Sequence, residues 1–122
     1  MQYPWSTRQL VLSPSTAVGS PPGTLVSPFP RYGHSLPPIP TQSGHLLIFG
    51  GLVRESVRND LFALDCHDFS AAAVLATGEL PIPRVGHASA LVRSVLVVWG
   101  GDTKTRIEDE QDEGIYLFNI RE

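Results

Sequence analysis

The chain has 122 residues, 9 basic and 12 acidic side chains for a net charge of −3, and a single cysteine. No Lys/Arg cluster supplies the electrostatic footprint of a nucleic-acid binder. The longest apolar runs, Ala71–Ala76 and Val95–Trp99, fall far short of the roughly 18 residues of a membrane span, so no membrane insertion is expected. Met1-Gln2-Tyr3-Pro4-Trp5 has neither the charged start nor the apolar core of a secretory signal, and Cys66 alone cannot close an internal disulfide, which fits a reducing compartment. The compartment read from these features is cytoplasmic.

Residues 1–12 contain one short apolar stretch, Leu10-Val11-Leu12, read as an isolated strand available as the outer strand of another sheet unit. Residues 13–29 are dense in Pro, Ser and Gly, including Ser20-Pro21-Pro22-Gly23, and read as an irregular connection. From residue 30 a pattern begins that is stated twice. Pro30-Arg31-Tyr32-Gly33-His34-Ser35 leads to Leu47-Ile48-Phe49-Gly50-Gly51 and then to Asn59-Asp60-Leu61-Phe62-Ala63-Leu64-Asp65. Pro83-Arg84-Val85-Gly86-His87-Ala88 leads to Val97-Val98-Trp99-Gly100-Gly101 and then to Gly114-Ile115-Tyr116-Leu117-Phe118-Asn119. Pro83 follows Pro30 by 53 positions, Gly100 follows Gly50 by 50, and Tyr116 follows Phe62 by 54.

A period near fifty residues marks a repeat architecture whose units bury their faces against one another. The two units are residues 30–82 and 83–122. Their strand signals are short and separated by turn residues, the all-β pattern. Leu46–Phe49 and Val95–Trp99 are apolar at consecutive positions, so both faces of each are expected to be covered. His87–Val92 carries small residues suited to a crowded innermost strand, and Leu61–Leu64 and Ile115–Phe118 read as third strands. Ala72–Ala76 is taken as a fourth, outer strand over a short helix; the second unit stops before its own. Propellers use roughly four to eight four-stranded blades, so the expected fold is a partial β-propeller of about two blades plus an N-terminal strand, a piece of a longer propeller protein.

Two copies of Pro-Arg-x-Gly-His, an apolar strand ending in Gly-Gly, and an Asp/Gly-apolar-aromatic strand in that order resemble the kelch repeat. The resemblance covers about Phe29–Asn119 and implies a β-propeller that works through protein contacts. Trp5–Leu10 and Trp99–Lys104 are similar to fungal kelch proteins of the tip-elongation-aberrant, cell-end-marker group. That similarity implies a role in cell polarity or small-GTPase signalling.

The motif residues have physical readings of their own. Gly50, Gly51, Gly100 and Gly101 stand where only a residue without Cβ passes a neighbouring chain or takes positive φ, and each pair is expected to leave room for Phe62 or Tyr116. No Gly-x-Gly-x-x-Gly or Walker lysine follows them, so phosphate binding is not indicated. His34 and His87 repeat in register after Gly33 and Gly86, which argues for a buried imidazole bonded to backbone rather than a catalytic or metal site. His45 and His67 make no ligand spacing with a cysteine pair. Arg31 and Arg84 repeat as well; Asp60 and Asp65 are the candidate carboxylate partners of Arg31. The run Glu108-Asp109-Glu110-Gln111-Asp112-Glu113 holds five acids in six residues, is read as an exposed mobile loop, and is the candidate contact for a basic partner.

No catalytic constellation emerges, and neither metal nor cofactor is expected. The leading function is a protein–protein interaction scaffold. The enzyme alternative is a copper radical oxidase resembling galactose oxidase, which needs His and Tyr ligands and a tyrosine cross-linked to cysteine. Tyr3, Tyr32, Tyr116 and Cys66 are the only tyrosines and cysteine here, and no suitably spaced His pair accompanies them.

Overall fold

The computed structural model describes residues 4–15, 18–104 and 106–120. These form eight strands and no helix: β1 (Val11–Pro14), β2 (Leu25–Val26), β3 (His45–Val53), β4 (Ser56–Asp65), β5 (Ser70–Ala73), β6 (Ala88–Val92), β7 (Val95–Trp99) and β8 (Ile115–Asn119). One sheet has the order β2-β1-β5-β4-β3 and the other β6-β7-β8. The chain is thus all-β with two sheets, the architecture of a partial propeller.

The two units superimpose in their hydrogen-bond logic. In the second, Ala88 opposes Trp99 in the β6–β7 ladder, and an isolated bridge joins Val85 to Asp102. In the first, the same positions are two isolated bridges, Ser35 to Phe49 and Tyr32 to Leu52. No continuous inner strand forms there, because Pro37, Pro38 and Pro40 occupy the stretch that is Ala90, Leu91 and Arg93 in the second unit, and proline cannot donate to a ladder. β3 and β4 pair over their full length, with a bulge between Phe49 and Gly51, so in this unit the strand runs through the diglycine instead of ending at it. β5 is a strand, antiparallel to β4, with Ala71, Ala72 and Ala73 opposite Leu64, Ala63 and Phe62.

The apolar core lies between the sheets. Leu47, Phe49 and Leu61 from the first sheet meet Leu96 and Val98 from the second, flanked by Ala63, Val74, Leu91, Phe118 and Ile120. Burying side chains of this size contributes about 1.5–3 kcal/mol each, and neither sheet could retain that alone. On the other side of β3 and β4, Ile48 and Phe62 are also buried, so both faces of the first sheet are covered. The second sheet differs from expectation here. Its far face carries Val95, Val97 and Trp99 of β7 beside Ile115 and Leu117 of β8 by register, and Trp99, Ile115 and Leu117 are 40%, 69% and 69% exposed.

The N-terminal strand is corrected in position and in company. It spans Val11–Pro14, extends into the stretch read as linker, and is not isolated. It runs parallel to β5, with Val11 opposite Ser70 and Leu12 opposite Ala71, and antiparallel to β2. The free edge of β5 offers backbone partners directly, so β1 joins the sheet of the first unit instead of another unit's. The 13–29 stretch therefore contributes both the end of β1 and all of β2.

Candidate functional site: the loop between the repeats

The Arg-x-Gly-His loop of the second unit seats directly on the first. Gly51 N donates to Arg84 O at 2.9 Å, Arg84 N to Arg58 O at 3.1 Å, and Gly86 N to Gly33 O at 2.8 Å. His87 adds a side-chain bond, its Nε2 standing 2.8 Å from Phe49 O; the carbonyl can only accept, so the ring carries its proton on Nε2. The same ring stands edge-on to Phe49, with centroids 5.4 Å apart. Four bonds and one ring contact thus tie the loop to the first unit, two of the bonds to the bulged stretch of β3 at Phe49 and Gly51, one to Arg58 of β4 and one to Gly33.

This seating explains the glycines and corrects the reading that they make room for Phe62 or Tyr116. A Cβ on Gly50 would lie 2.8 Å from His87 Cε1 and 3.1 Å from Arg84 O. On Gly51 it would lie 2.8 Å from both His34 N and Tyr32 O, and on Gly33 it would strike Val85 Cγ2. On Gly101 it would meet His87 N at 2.7 Å. What crowds Gly51 and Gly101 is loop backbone of their own unit, and what crowds Gly33 and Gly50 is first a side chain of the next unit's loop, Val85 or His87, and then backbone; all four also have positive φ. Their counterparts Gly86 and Gly100 have nothing within 4 Å of such a Cβ.

Each motif arginine is enclosed. Arg31 donates through Nη1 to Gly50 O at 2.8 Å and to Asp60 Oδ1 at 2.7 Å, through Nη2 to Asp60 Oδ2 at 3.2 Å, and through Nε to Pro28 O. Its guanidinium lies over the Phe62 ring, 5.2 Å from the centroid, in the range of a cation–π contact. Asp60, not Asp65, is its partner; Asp65 instead faces His45 and His67. Arg84 repeats the arrangement, donating to Gly100 O at 3.0 Å, Ile82 O at 3.1 Å and Asp112 Oδ2 at 2.8 Å, over the Tyr116 ring at 5.2 Å.

Asp112 is therefore misplaced among partner-contact residues. Its carboxylate takes the Arg84 guanidinium and the Tyr116 hydroxyl, the latter at 2.6 Å. The Tyr116 hydroxyl, then the Gly114 amide and Arg84, hold its pKa below the usual carboxylate range, and the same bond raises the pKa of the Tyr116 hydroxyl. The signal for this role is that Gly114 stands where the first unit has Asp60, which leaves Arg84 to recruit a nearby acid. The acidic run is also more structured than a mobile loop. Arg106 N donates to Asp109 Oδ2 and Asp109 N to Arg106 O, closing a turn, while Gln111 Nε2 bonds Gly101 O and Asp112 N bonds Thr103 Oγ1. Glu108, Glu110 and Glu113 face solvent.

Burial depresses the basicity of both motif histidines, with Arg84 adding to the effect at His87 and Arg31 at His34. The Nδ1 atoms of both are buried without a hydrogen-bond partner. Among the described residues no group of three or more His, Cys, Asp or Glu is placed to hold a metal, and no helix is long and apolar enough to cross a membrane.

Two outcomes follow from this geometry. Arg31→Ala strips bonds from Gly50 O, Pro28 O and Asp60 together. The loss of unfolding free energy in urea should therefore exceed the about 0–1 kcal/mol of a surface pair; a loss inside that range would show the arginine to be ornamental. His87 is neutral in the fold while the unfolded chain takes up a proton near 6.5. Its folded pKa lies lower, so its contribution is complete above about pH 6.5 and declines as pH falls below it. Urea midpoints should drop between pH 7.5 and pH 5.5, with a shallower slope in His87→Gln; an unchanged slope would remove His87 from the account.

No protein-family model matches the chain. It is 39% identical over 99 residues to Kelch repeat-containing protein 2 of Saccharomyces cerevisiae, covering 77% of this chain and 11% of that protein. It is 36% identical over 91 residues to Tip elongation aberrant protein 1 of Schizosaccharomyces pombe, covering 74% and 8%. It is 33% identical over 95 residues to Rho GTPase-activating protein gacHH of Dictyostelium discoideum, covering 75% and 6%. The chain spans about a tenth or less of the length of these relatives. With two copies of the motif seated one upon the other and matches across three quarters of its length, the chain belongs to the kelch-repeat family.

Proposed function

We propose that the chain acts as a protein–protein interaction scaffold in the cytoplasm, serving cell polarity or small-GTPase signalling as part of a longer propeller. The observation that carries this reading is where the chemistry-bearing residues are engaged. Arg31, Arg84, Asp60, Asp112 and His87 all hold the framework, so what is left for recognition is shape, exposed loops and strand edges on a rigid support. The printed names of two relatives, one a tip-elongation protein and one a Rho GTPase-activating protein, support the polarity and signalling side of it. Glu108, Asp109, Glu110 and Glu113 are proposed as a patch that steers a basic partner, an attraction that added salt would screen.

The test is cross-linking of the tagged protein in its own cells, followed by binding of purified candidates to the purified chain. The reading expects saturable complexes with proteins, weakened by salt and by joint replacement of Glu108, Glu110 and Glu113 with Gln. Stoichiometric copper uptake with alcohol-dependent peroxide production would replace it with the oxidase reading.

A further inference from the structure

The loops that join the strands leave a groove of about 550 Å³ between the two units, within the about 300–1,000 Å³ range of ligand sites. Its apolar lining is Val57 of β4 with Ile82 and Pro83 of the segment joining the units, and Ile82 stays 48% exposed. Around this lining stand Glu55 from the β3–β4 turn and Asp109 and Glu110 from the loop after β7. No Lys or Arg lines it among the described residues. None of the lining belongs to β8, to the bare face of the second sheet or to either end of the chain. Further strands add at sheet edges and further units at sheet faces, and this groove is neither.

Every side of the groove is held in place by the fold. Val53 opposite Ser56 closes the hairpin that carries Glu55. Arg84 Nε donates to Ile82 O at 3.1 Å and Asn59 Nδ2 to Pro81 O at 3.0 Å, which fixes the apolar segment. Thr103, only 6% exposed, accepts the Asp112 amide on its Oγ1 at 2.8 Å. Asp112 is clamped in turn by Arg84 and Tyr116, so the loop bearing Asp109 and Glu110 is tied to the interior of its unit. A surface fixed in this way loses little conformational freedom when something binds to it.

We propose that this groove is a docking site for an extended segment of a partner protein in which an apolar side chain is flanked by Arg or Lys. The apolar residue covers Val57, Ile82 and Pro83 and removes from water the area that Ile82 leaves exposed. The bases lie against Glu55 on one side and against Asp109 and Glu110 on the other. Glu55 and Glu110 form no ion pair among the described residues, so each takes a base without releasing another. The sign of the rim selects the occupant, because carboxylates on both sides repel nucleic-acid phosphates, anionic headgroups and acidic segments. The inference rests on the scaffold reading and deepens its acidic patch: Asp109 and Glu110 line the groove, whereas Glu108 and Glu113 lie outside it and serve only to steer.

The probe is the terminally blocked peptide Arg-Arg-Leu-Arg-Arg, titrated into the full chain with amide shifts followed by NMR. Saturable shifts should gather at Val57, Ile82 and Thr103, and binding should weaken as salt is raised. Serine in place of the peptide's leucine, or glutamine in place of its arginines, should each weaken binding by about tenfold or more. On the chain, joint Glu55→Gln and Glu110→Gln should weaken it by about the same factor, and Glu79→Gln, which removes an acid outside the groove, by less than about twofold. Ile82→Ser should weaken it by about tenfold while the dispersion of the amide spectrum stays that of the parent, the sign of an intact fold. Equal binding of the leucine and serine peptides, equal loss from Glu79→Gln and the joint variant, or shifts centred elsewhere on the chain would overturn the proposal. Shifts at the same residues on concentrating the chain without peptide would overturn it too, by making a second copy the occupant. If the peptide fails while a partner cross-linked in cells still binds the chain, the groove inference falls and the scaffold reading stands.

Discussion

The structure depends on one act of seating: the loop Arg84–His87 settles into a notch that exists because Gly33 and Gly50 have no side chains, while the bare Gly51 lets the first unit's own Tyr32–His34 loop lie close beneath it. The loop brings both backbone and the Val85 and His87 side chains into this notch, and a Cβ on Gly33 or Gly50 would push it away from the first sheet. Sheet-on-sheet burial of Leu47, Phe49, Leu61, Leu96 and Val98 supplies the favourable area, but area alone does not select an angle or a register. The bonds from Gly51 to Arg84, from Gly86 to Gly33 and from His87 to Phe49 do.

The arginines connect this seat to each unit's interior. Arg84 is buried, and its side chain points back into its own unit, to Gly100 O, Asp112 and the Tyr116 ring. Its backbone meanwhile bonds both Gly51 and Arg58 of the other unit. One residue thereby couples the inside of one sheet to the edge of the next. Breaking a buried ionic group out of such a setting is costly because the remaining partners lose their solvation substitute, which gives the motif arginine a specifying role more than a stabilising one. The exposed face of β7 and β8, together with the unfilled space at Gly86 and Gly100, repeats on the far side the geometry that receives the loop on the near side.

Much of this was legible from residues because the motif is positional. The period and the third strands follow from residue types at fixed offsets; the outer strand was expected at Ala72–Ala76 and lies at Ser70–Ala73, and of the two carboxylates open to Arg31, Asp60 and Asp65, the structure selects Asp60. What escaped depends on contacts that leave no local trace. The parallel pairing of β1 with β5 rests on two register positions nearly sixty residues apart, and an apolar triplet such as Leu10-Val11-Leu12 names no partner. The glycine neighbours were assigned to the wrong strand because positive φ and missing bulk report that something comes close, without saying what. Asp112 was hidden by a length change: the acid that serves Arg84 lies four residues before its aromatic, whereas Asp60 lies two before Phe62. The inner strand of the first unit was cut short by Pro37, Pro38 and Pro40, a signal that was present in the sequence.

The central claim is that the loop seat makes two sheets one cooperative unit. Native-state amide exchange in low urea tests it most directly, comparing Phe62 in β4 with Leu96 in β7 in the parent chain and in Gly50→Ala. The account predicts a shared opening free energy in the parent, and in the variant a drop at both sites together, by about 1 kcal/mol or more for a crowded positive-φ glycine. Different opening energies at the two sites in the parent chain, or a drop confined to one sheet, would contradict it.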